Sequence, residues 1–170
     1  MTRQAVVSAP KEGEIAAEWV KIADLLEWPA NPKDHSGQHV GQIKASIDAF
    51  GWLAPLVVNR RTKQLVAGHG RRLAAIERGD ELVPVRFVDL SDSDAELAAL
   101  ADNRLNELSG YDDRKLAEIL RRHSGEDRER LALTGFEDRD IAAILRRSDA
   151  KEARAAGEDA GPAPSELHRK

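Results

Sequence analysis

Cysteine is absent from this 170-residue sequence. Its absence excludes disulfide bonds, thiolate zinc sites and a cysteine nucleophile, and it is typical of proteins from a reducing cytoplasm. Long hydrophobic runs are absent as well. No apolar segment approaches the roughly 18 residues of a membrane span, and the N-terminus has no apolar signal core. These absences predict a cytoplasmic protein without a membrane partner.

An excess of positive charge is also missing. The chain carries 26 Lys and Arg residues against 30 Asp and Glu residues, for a formal net charge of −4. This balance argues against a surface coated with positive charge for DNA, although arginines in close pairs leave a local basic patch open. The length and the apolar fraction of 41% fit one globular domain with a substantial core.

Composition divides the chain into three zones. Residues 1–14 lack an apolar period and are predicted to be flexible. Residues 148–170 are rich in Ala, Gly, Pro and charge. They bury too little apolar surface to offset the entropy of ordering, so they are predicted to be disordered. The folded part is expected over residues 15–147.

Within the folded part, the apolar period switches between strand and helix. Strands are predicted at 19–22, 56–58, 64–67 and 83–88. The middle two form a hairpin, and Pro84 indicates an edge strand or a strand start. Helices are predicted at 39–50, 73–78, 92–108, 112–122 and 138–147. The predicted fold class is therefore α+β (mixed α/β): a small mixed sheet surrounded by helices, followed by a helical C-terminal extension.

The segment VAGHGRRLAAIERGD, residues 66–80, contains the first candidate site. Gly68 and Gly70 let the backbone turn sharply and approach a ligand, and the free N–H groups of the following helix favour an anion. Arg71 and Arg72 add positive charge that matches phosphate oxygens in geometry. The alternative is an ordinary turn with solvated arginines. The spacing alone leaves both interpretations open.

The segment ALADNRLNEL, residues 99–108, contains the second candidate site. Asp102 and Asn103 place a carboxylate beside a carboxamide, a pair that can hold a hard cation such as Mg²⁺. The alternative is a solvated polar face. In either case the leucines are expected to supply the apolar face of the helix. These leucines are Leu97, Leu100, Leu105 and Leu108.

His35 and His39 form a third feature, in and after a proline-rich loop. A zinc site is disfavoured there, because no third histidine or carboxylate follows at helical spacing. An ordinary loop is the preferred interpretation.

Taken together, these segments resemble the N-terminal domain of the ParB family, which shares a superfamily with sulfiredoxin. The resemblance follows the order LLEWPANPKDH, AFGWLAPLVV, QLVAGHGRRLAAIERG and VPVRFVDLSDSDAELAALADNRLNE, over about residues 18–110. It implies a ParB-like domain at 15–110 and a helical extension at 111–147. Sulfiredoxin chemistry itself requires a cysteine, which this chain lacks.

The resemblance implies a site for CTP and Mg²⁺ formed by three segments, here residues 51–56, 68–71 and 102–106. The expected nucleotide- or phosphate-binding residues are Gly51, Pro55, Gly68, His69, Gly70, Arg71, Arg72 and Asn103. Asp102 and Asn103 are the expected metal ligands. His69 and Asp102 are the candidate catalytic residues, since a histidine pKa suits general base work at neutral pH.

The chain departs from the family pattern within these segments. The Gln-Pro of ParB is Ala54-Pro55 here, and the Glu and first Arg of its G-E-R-R turn are His69 and Gly70. CTP specificity and hydrolysis are therefore left open. The pattern G-H-G-R with A-D-N-R-L is more similar to ParB-like domains of phages and of DNA-methyltransferase neighbourhoods, which are often described as nucleases.

Three functions are consistent with this sequence. The first is a nucleotide-binding domain, for CTP or another nucleoside triphosphate, that acts in DNA partition or modification in a bacterial or phage-infected cell. The others are a metal-dependent DNA nuclease and a non-catalytic adaptor. The C-terminal helices lie too far apart for a tight helix-turn-helix, so DNA binding is expected to be weak, non-specific and salt-dependent. The helical extension is expected to mediate either the formation of a homodimer or the binding of a partner protein from DNA modification or partition.

Overall fold

The computed structural model describes residues 16–29, 31–125 and 128–159. The chain divides into two compact units, with the boundary between Leu108 and Ser109. The segment predicted to be flexible, residues 1–14, lies outside the described residues. Nowhere in the described ranges does a helix have the length and hydrophobicity needed to cross a membrane.

The N-terminal unit is a four-stranded mixed sheet with helices packed on it. Strand β4 lies between β1, to which it is antiparallel, and β2, to which it is parallel. Strand β3 pairs antiparallel with β2 at the other edge. The elements in chain order are β1 (Glu18–Lys21), α1 (Gly37–Phe50), β2 (Leu56–Asn59), β3 (Leu65–Ala67), α2 (His69–Arg78), β4 (Leu82–Val88) and α3 (Asp92–Leu108). The predicted α+β class and the hairpin are confirmed.

The core of this unit lies under the two inner strands. Alternate residues of β2 and β4, Leu56 with Val58 and Val83 with Val85, are fully buried, as the two-residue period of a strand requires. Ala75 of α2 packs against them. A single residue, Gly68, joins the end of β3 to the first turn of α2.

Pro84 agrees with the second of its two predicted placements. The strand that contains it is an inner strand, so the edge-strand alternative is wrong, and Pro84 lies opposite Trp19 of β1. Pro84 is, however, the third residue of β4 and precedes Val85, where the pairing with β2 begins. A proline has no backbone N–H to donate, and near the start of a strand that is paired on one side only, this loss is tolerated.

Local caps set the ends of the helices as the sequence indicated. The Ser36 hydroxyl accepts a hydrogen bond from the His39 N–H at 3.2 Å and begins α1 two residues earlier than predicted. Gly51, with φ +73°, ends it. Ser91 caps the start of α3, where the Asp94 N–H donates to the Ser91 hydroxyl at 3.1 Å and the hydroxyl donates to the Asp94 carboxylate at 2.6 Å. The predicted bounds of α3 are confirmed.

The C-terminal unit consists of three helices over its described residues: α4 (Asp113–His123), α5 (Arg128–Ala132) and α6 (Asp138–Asp159). Their shared core contains Leu120 of α4, Leu131 of α5 and Ile144 of α6. The short helix α5 occupies part of the connection that the sequence left without structure.

The predicted end of the last helix at residue 147 is wrong. Helix α6 continues to Asp159, and Ser148 at the expected start of the disordered tail is only 2% exposed. Arg121 of α4 forms ion pairs with Asp149 and Glu152, so the continuation is bonded to the rest of the unit. Residues 160–170 of the predicted tail lie outside the described residues.

Candidate functional site

The turn between β3 and α2 has a backbone that only glycine fits well. Gly68 lies in the left-handed region, with φ +96°. A Cβ atom there would lie 2.8 Å from Cδ2 of the buried Leu56. Helix α2 begins at His69, four residues before the predicted start at Leu73, so Gly70 and Arg71 belong to its first turn.

This helix begins without a side-chain cap, since Gly68 has no side chain to supply one. The first N–H groups of a helix have no partners within it, and the helix dipole makes that end partly positive. An uncapped N-terminus beside a cleft is suited to bind an anion through its backbone.

A cleft of about 170 Å³ lies at this N-terminus. Residues 68–71 line it together with Asp102, Asn103 and Asn106 of α3. The structure therefore brings together six of the predicted site residues from two segments about 30 positions apart. These are Gly68, His69, Gly70, Arg71, Asp102 and Asn103.

The Arg71 side chain is held in place within this cleft. Its Nη2 donates a hydrogen bond to the Pro55 carbonyl at 3.2 Å. Burial lowers the pKa of Arg71, and the negative charge of Asp102 acts in the opposite direction. A guanidinium remains charged throughout the physiological range, so the cleft contains a partly buried, oriented cation.

His69 lines the same cleft and is half-buried. Burial lowers its pKa, and the nearby His35 lowers it further. The imidazole is therefore neutral at pH 7, and its buried Nε2 has no hydrogen-bond partner among the described residues. A neutral imidazole can accept a proton, and His69 and Asp102 line the same cleft.

Three predicted residues lie elsewhere. Arg72 does not line this cleft, because one step along the helix turns it toward Glu27, with which it forms an ion pair. Gly51 caps α1 rather than lining the cleft. Pro55 contributes through its carbonyl, which orients Arg71. Of these three, only Pro55 therefore has a direct connection to the cleft.

Helix α3 presents a different face to the rest of the unit from the one that the sequence predicted. Its leucines are exposed, Leu97 by 62% and Leu105 by 66%, while Ala99 is buried. The side chains of Asp102, Asn103 and Asn106 line the cleft instead. The leucines therefore do not form a buried face of α3, and Ala99 is its buried residue.

Part of the cleft was not assigned from the sequence. Lys33 and Ile43 line it but were not predicted to contribute. His35 and His39 also line it, although an ordinary loop was the preferred interpretation of that segment. Their spacing of four residues is the signal that could have placed them together.

The residues present fit one type of metal binding. Mg²⁺ is commonly held by one or two carboxylates together with ligand phosphates and water. Asp102 and Asn103 supply side-chain oxygens of that kind in the cleft. No group of three or more His, Asp or Glu side chains in the described part of the chain is arranged to hold a metal by itself. The donor set fits a cation shared with a phosphate ligand and does not fit a metal cage formed by protein alone.

Residues 7–105, more than half of the chain, match the family model of the ParB N-terminal domain. The chain belongs to this family. The resemblance drawn from the sequence is thereby confirmed, including its order of strands and helices around the glycine turn.

The chain is similar in sequence to ParB-like domains in two proteins of different description. The chain is 38% identical over 101 residues to the transcriptional regulator NovG of Streptomyces niveus, a match that covers 59% of this chain and 31% of NovG. It is 34% identical over 64 residues to YnaK of Escherichia coli K12, a ParB-like nuclease domain-containing protein. That match covers 38% of this chain and 72% of YnaK. The chain thus matches about a third of the length of NovG.

The fold matches that of a solved ParB. The C-terminally truncated chromosome-partitioning protein ParB of Caulobacter crescentus, complexed with CTP-gamma-S, aligns with a TM-score of 0.65 at 20% identity. The alignment covers 86% of this chain and 88% of that one. The similarity establishes the ParB fold for this chain.

Proposed function

We propose that this ParB-family chain binds the phosphates of a nucleoside triphosphate, CTP first among them, together with Mg²⁺, and acts in DNA partition or modification. The observation that carries the proposal is that an uncapped helix N-terminus and Arg71 line the same cleft as Asp102 and Asn103. Positive and negative groups within one cleft are the arrangement that a metal–phosphate ligand requires.

The two sets of groups have different chemical tasks. The N–H groups of α2 and the Arg71 guanidinium would bind phosphate oxygens directly. The Asp102 carboxylate would repel those oxygens unless a cation lay between them, and Asp102 with Asn103 would hold that cation. When bound, Mg²⁺ supplies charge neutralisation of the phosphates.

The size of the cleft limits what it can hold. Pockets for drug-sized ligands enclose about 300–1,000 Å³, whereas this cleft encloses about 170 Å³. It is large enough for phosphate groups, and a second cleft of about 280 Å³ shares Lys33, His35 and His69 with it. The nucleoside would extend beyond it, so selectivity for the base would depend on residues outside this cleft.

Calorimetric titration with CTP, ATP and GTP, with Mg²⁺ and with EDTA, tests the proposal. At least one nucleotide is expected to bind more tightly with Mg²⁺. Asp102→Asn removes the charge on the metal side, and we expect it to abolish most of the Mg²⁺ effect, about tenfold in affinity. Glu96→Gln, a charge change at an exposed position of the same helix, should leave it intact. A wild-type protein that binds no nucleotide would exclude this function and leave the adaptor hypothesis.

Direct DNA binding by the C-terminal unit is proposed to be weak. Several arginines of its helices are already paired with acids: Arg121 with Asp149, Arg147 with Asp113, and Arg139 with Glu137. Arginines that are already paired with acids are less available to neutralise DNA phosphates, which keeps the affinity low. The expected result is a weak, non-specific affinity that decreases as the salt concentration rises.

A second candidate function is metal-dependent cleavage of DNA. The observation in its favour is that His69, a neutral base with a free nitrogen, shares the cleft with Asp102. Against it, Asp102 is the one acidic side chain among the described residues that line the cleft. Plasmid nicking that requires Mg²⁺ or Mn²⁺ and disappears in both His69→Ala and Asp102→Ala would support this function. Nicking that persists in both variants would contradict it.

A further inference from the structure

His35 and His39 form a stacked pair on the wall of the cleft. Their ring centroids are 5.6 Å apart and the rings are inclined by only 11°. His35 immediately precedes the helix cap Ser36, and His39 lies in the first turn of α1. Both line the cleft that contains the N-terminus of α2.

The ring of His35 lies against Gly70. A Cβ atom at position 70 would be 3.2 Å from Nδ1 of His35 and 2.9 Å from Cδ1 of Ile43. The imidazole therefore lies where a side chain at position 70 would begin. Because Gly70 is in the first turn of α2, this close approach places the ring next to the backbone donors of the helix N-terminus.

The Nδ1 atom of His35 is buried and has no hydrogen-bond partner among the described residues. A buried polar atom without a partner is costly, and a polar ligand in the cleft would remove that cost. The charged and titratable groups that act on His35 are His39, Lys33 and Asp34. Other such groups near the cleft are Glu27, His69, Arg71, Arg72 and Asp102.

We propose that His35 and His39 form a second phosphate subsite of this cleft, which binds a phosphate group in the imidazolium form. Anion binding therefore becomes stronger as the pH falls below neutrality. This subsite rests on the proposed function, since it lies in the same cleft. It adds a source of positive charge that, unlike Arg71, depends on pH.

The direction of the pH effect on phosphate affinity follows from the protonation state of His35 in the free protein. Burial, together with His39 and Lys33, places the pKa of His35 below 6.5, so the ring is neutral at pH 7. A bound phosphate raises that pKa, and binding takes up a proton. The gain in affinity is absent above the pKa of the bound state, grows as the pH falls, and is complete below the pKa of the free protein.

Two measurements test the subsite, with inorganic pyrophosphate as the probe and no metal present. Calorimetry from about pH 7.5 to about pH 5.5 compares the wild type with His35→Asn, which keeps a polar side chain but does not titrate. The affinity of the wild type should increase about tenfold more than that of the variant, the equivalent of one charge-assisted hydrogen bond. The comparison cancels the titration of pyrophosphate itself. His123→Asn, in the C-terminal unit, should behave as the wild type.

Nuclear magnetic resonance provides the second measurement. The pKa of His35 in the wild-type protein should rise when pyrophosphate is added, and His39→Gln should reduce that rise. If the protein binds CTP but the pH profiles of wild type and His35→Asn coincide, the subsite is wrong and nucleotide binding stands. If neither CTP nor pyrophosphate binds at any pH, both proposals are overturned.

Discussion

Arg71→Ala is expected to weaken nucleotide binding by about a hundredfold. Arg71 is the one arginine on the described wall of the cleft, and its Nη2 is already oriented by the Pro55 carbonyl. A hydrogen bond to a charged group contributes about 1.5–3 kcal/mol, and a bidentate phosphate contact lies toward the upper end of that range. Calorimetric titration with CTP and Mg²⁺ measures the effect.

Two further variants separate geometry from charge. Arg71→Lys keeps the positive charge but loses the planar fork, so we expect it to recover only part of the affinity. Arg104→Ala removes an exposed arginine of α3 that pairs with Glu107 and does not line the cleft. It should change the affinity less than threefold or so. Equal losses in Arg71→Ala and Arg104→Ala would show that net charge alone matters. That result, or an unchanged affinity in Arg71→Ala, would contradict the assigned phosphate contact.

Gly68→Ala is expected to lower the free energy of unfolding by about 2–4 kcal/mol. Two penalties act at this position. The backbone is left-handed, at φ +96°, which costs an alanine about 1 kcal/mol. The new Cβ would also lie 2.8 Å from Cδ2 of Leu56, a fully buried core residue, so the core would have to shift. Urea denaturation of the wild type and the variant measures the difference.

Gly79→Ala is the matched control. Gly79 ends the same helix and is also left-handed, at φ +78°, but a Cβ there meets nothing within 4 Å. It should therefore show only the backbone penalty, about 1 kcal/mol. If both variants lose the same stability, the contact with Leu56 has no energetic weight. The inference that the glycine turn packs tightly against the sheet would then be wrong.

Segments with strong local signals could be predicted well from the sequence. The start of α3 follows from the cap at Ser91 and Asp94, and the end of α1 follows from Gly51. Such signals act within a single turn of chain, so no knowledge of distant contacts is needed. The end of α6 was not predicted in this way, because the composition of the segment beyond residue 147 does not reveal its contacts with α4, such as the ion pairs of Arg121 with Asp149 and Glu152.

The sequence by itself determined the ParB family, the mixed sheet, and the glycine turn with Arg71 as a feature of interest. These depend on the order of short motifs along the chain. The tertiary structure alone decided which side chains share the cleft. It turned Asp102 and Asn103 of α3 toward the helix N-terminus, left the leucines exposed, and directed Arg72 to Glu27. It also placed His35 against Gly70. The physical reason is that helix rotation and close approach depend on packing between elements, in which Ala99 and Gly70 are small enough to permit contacts that no local pattern encodes.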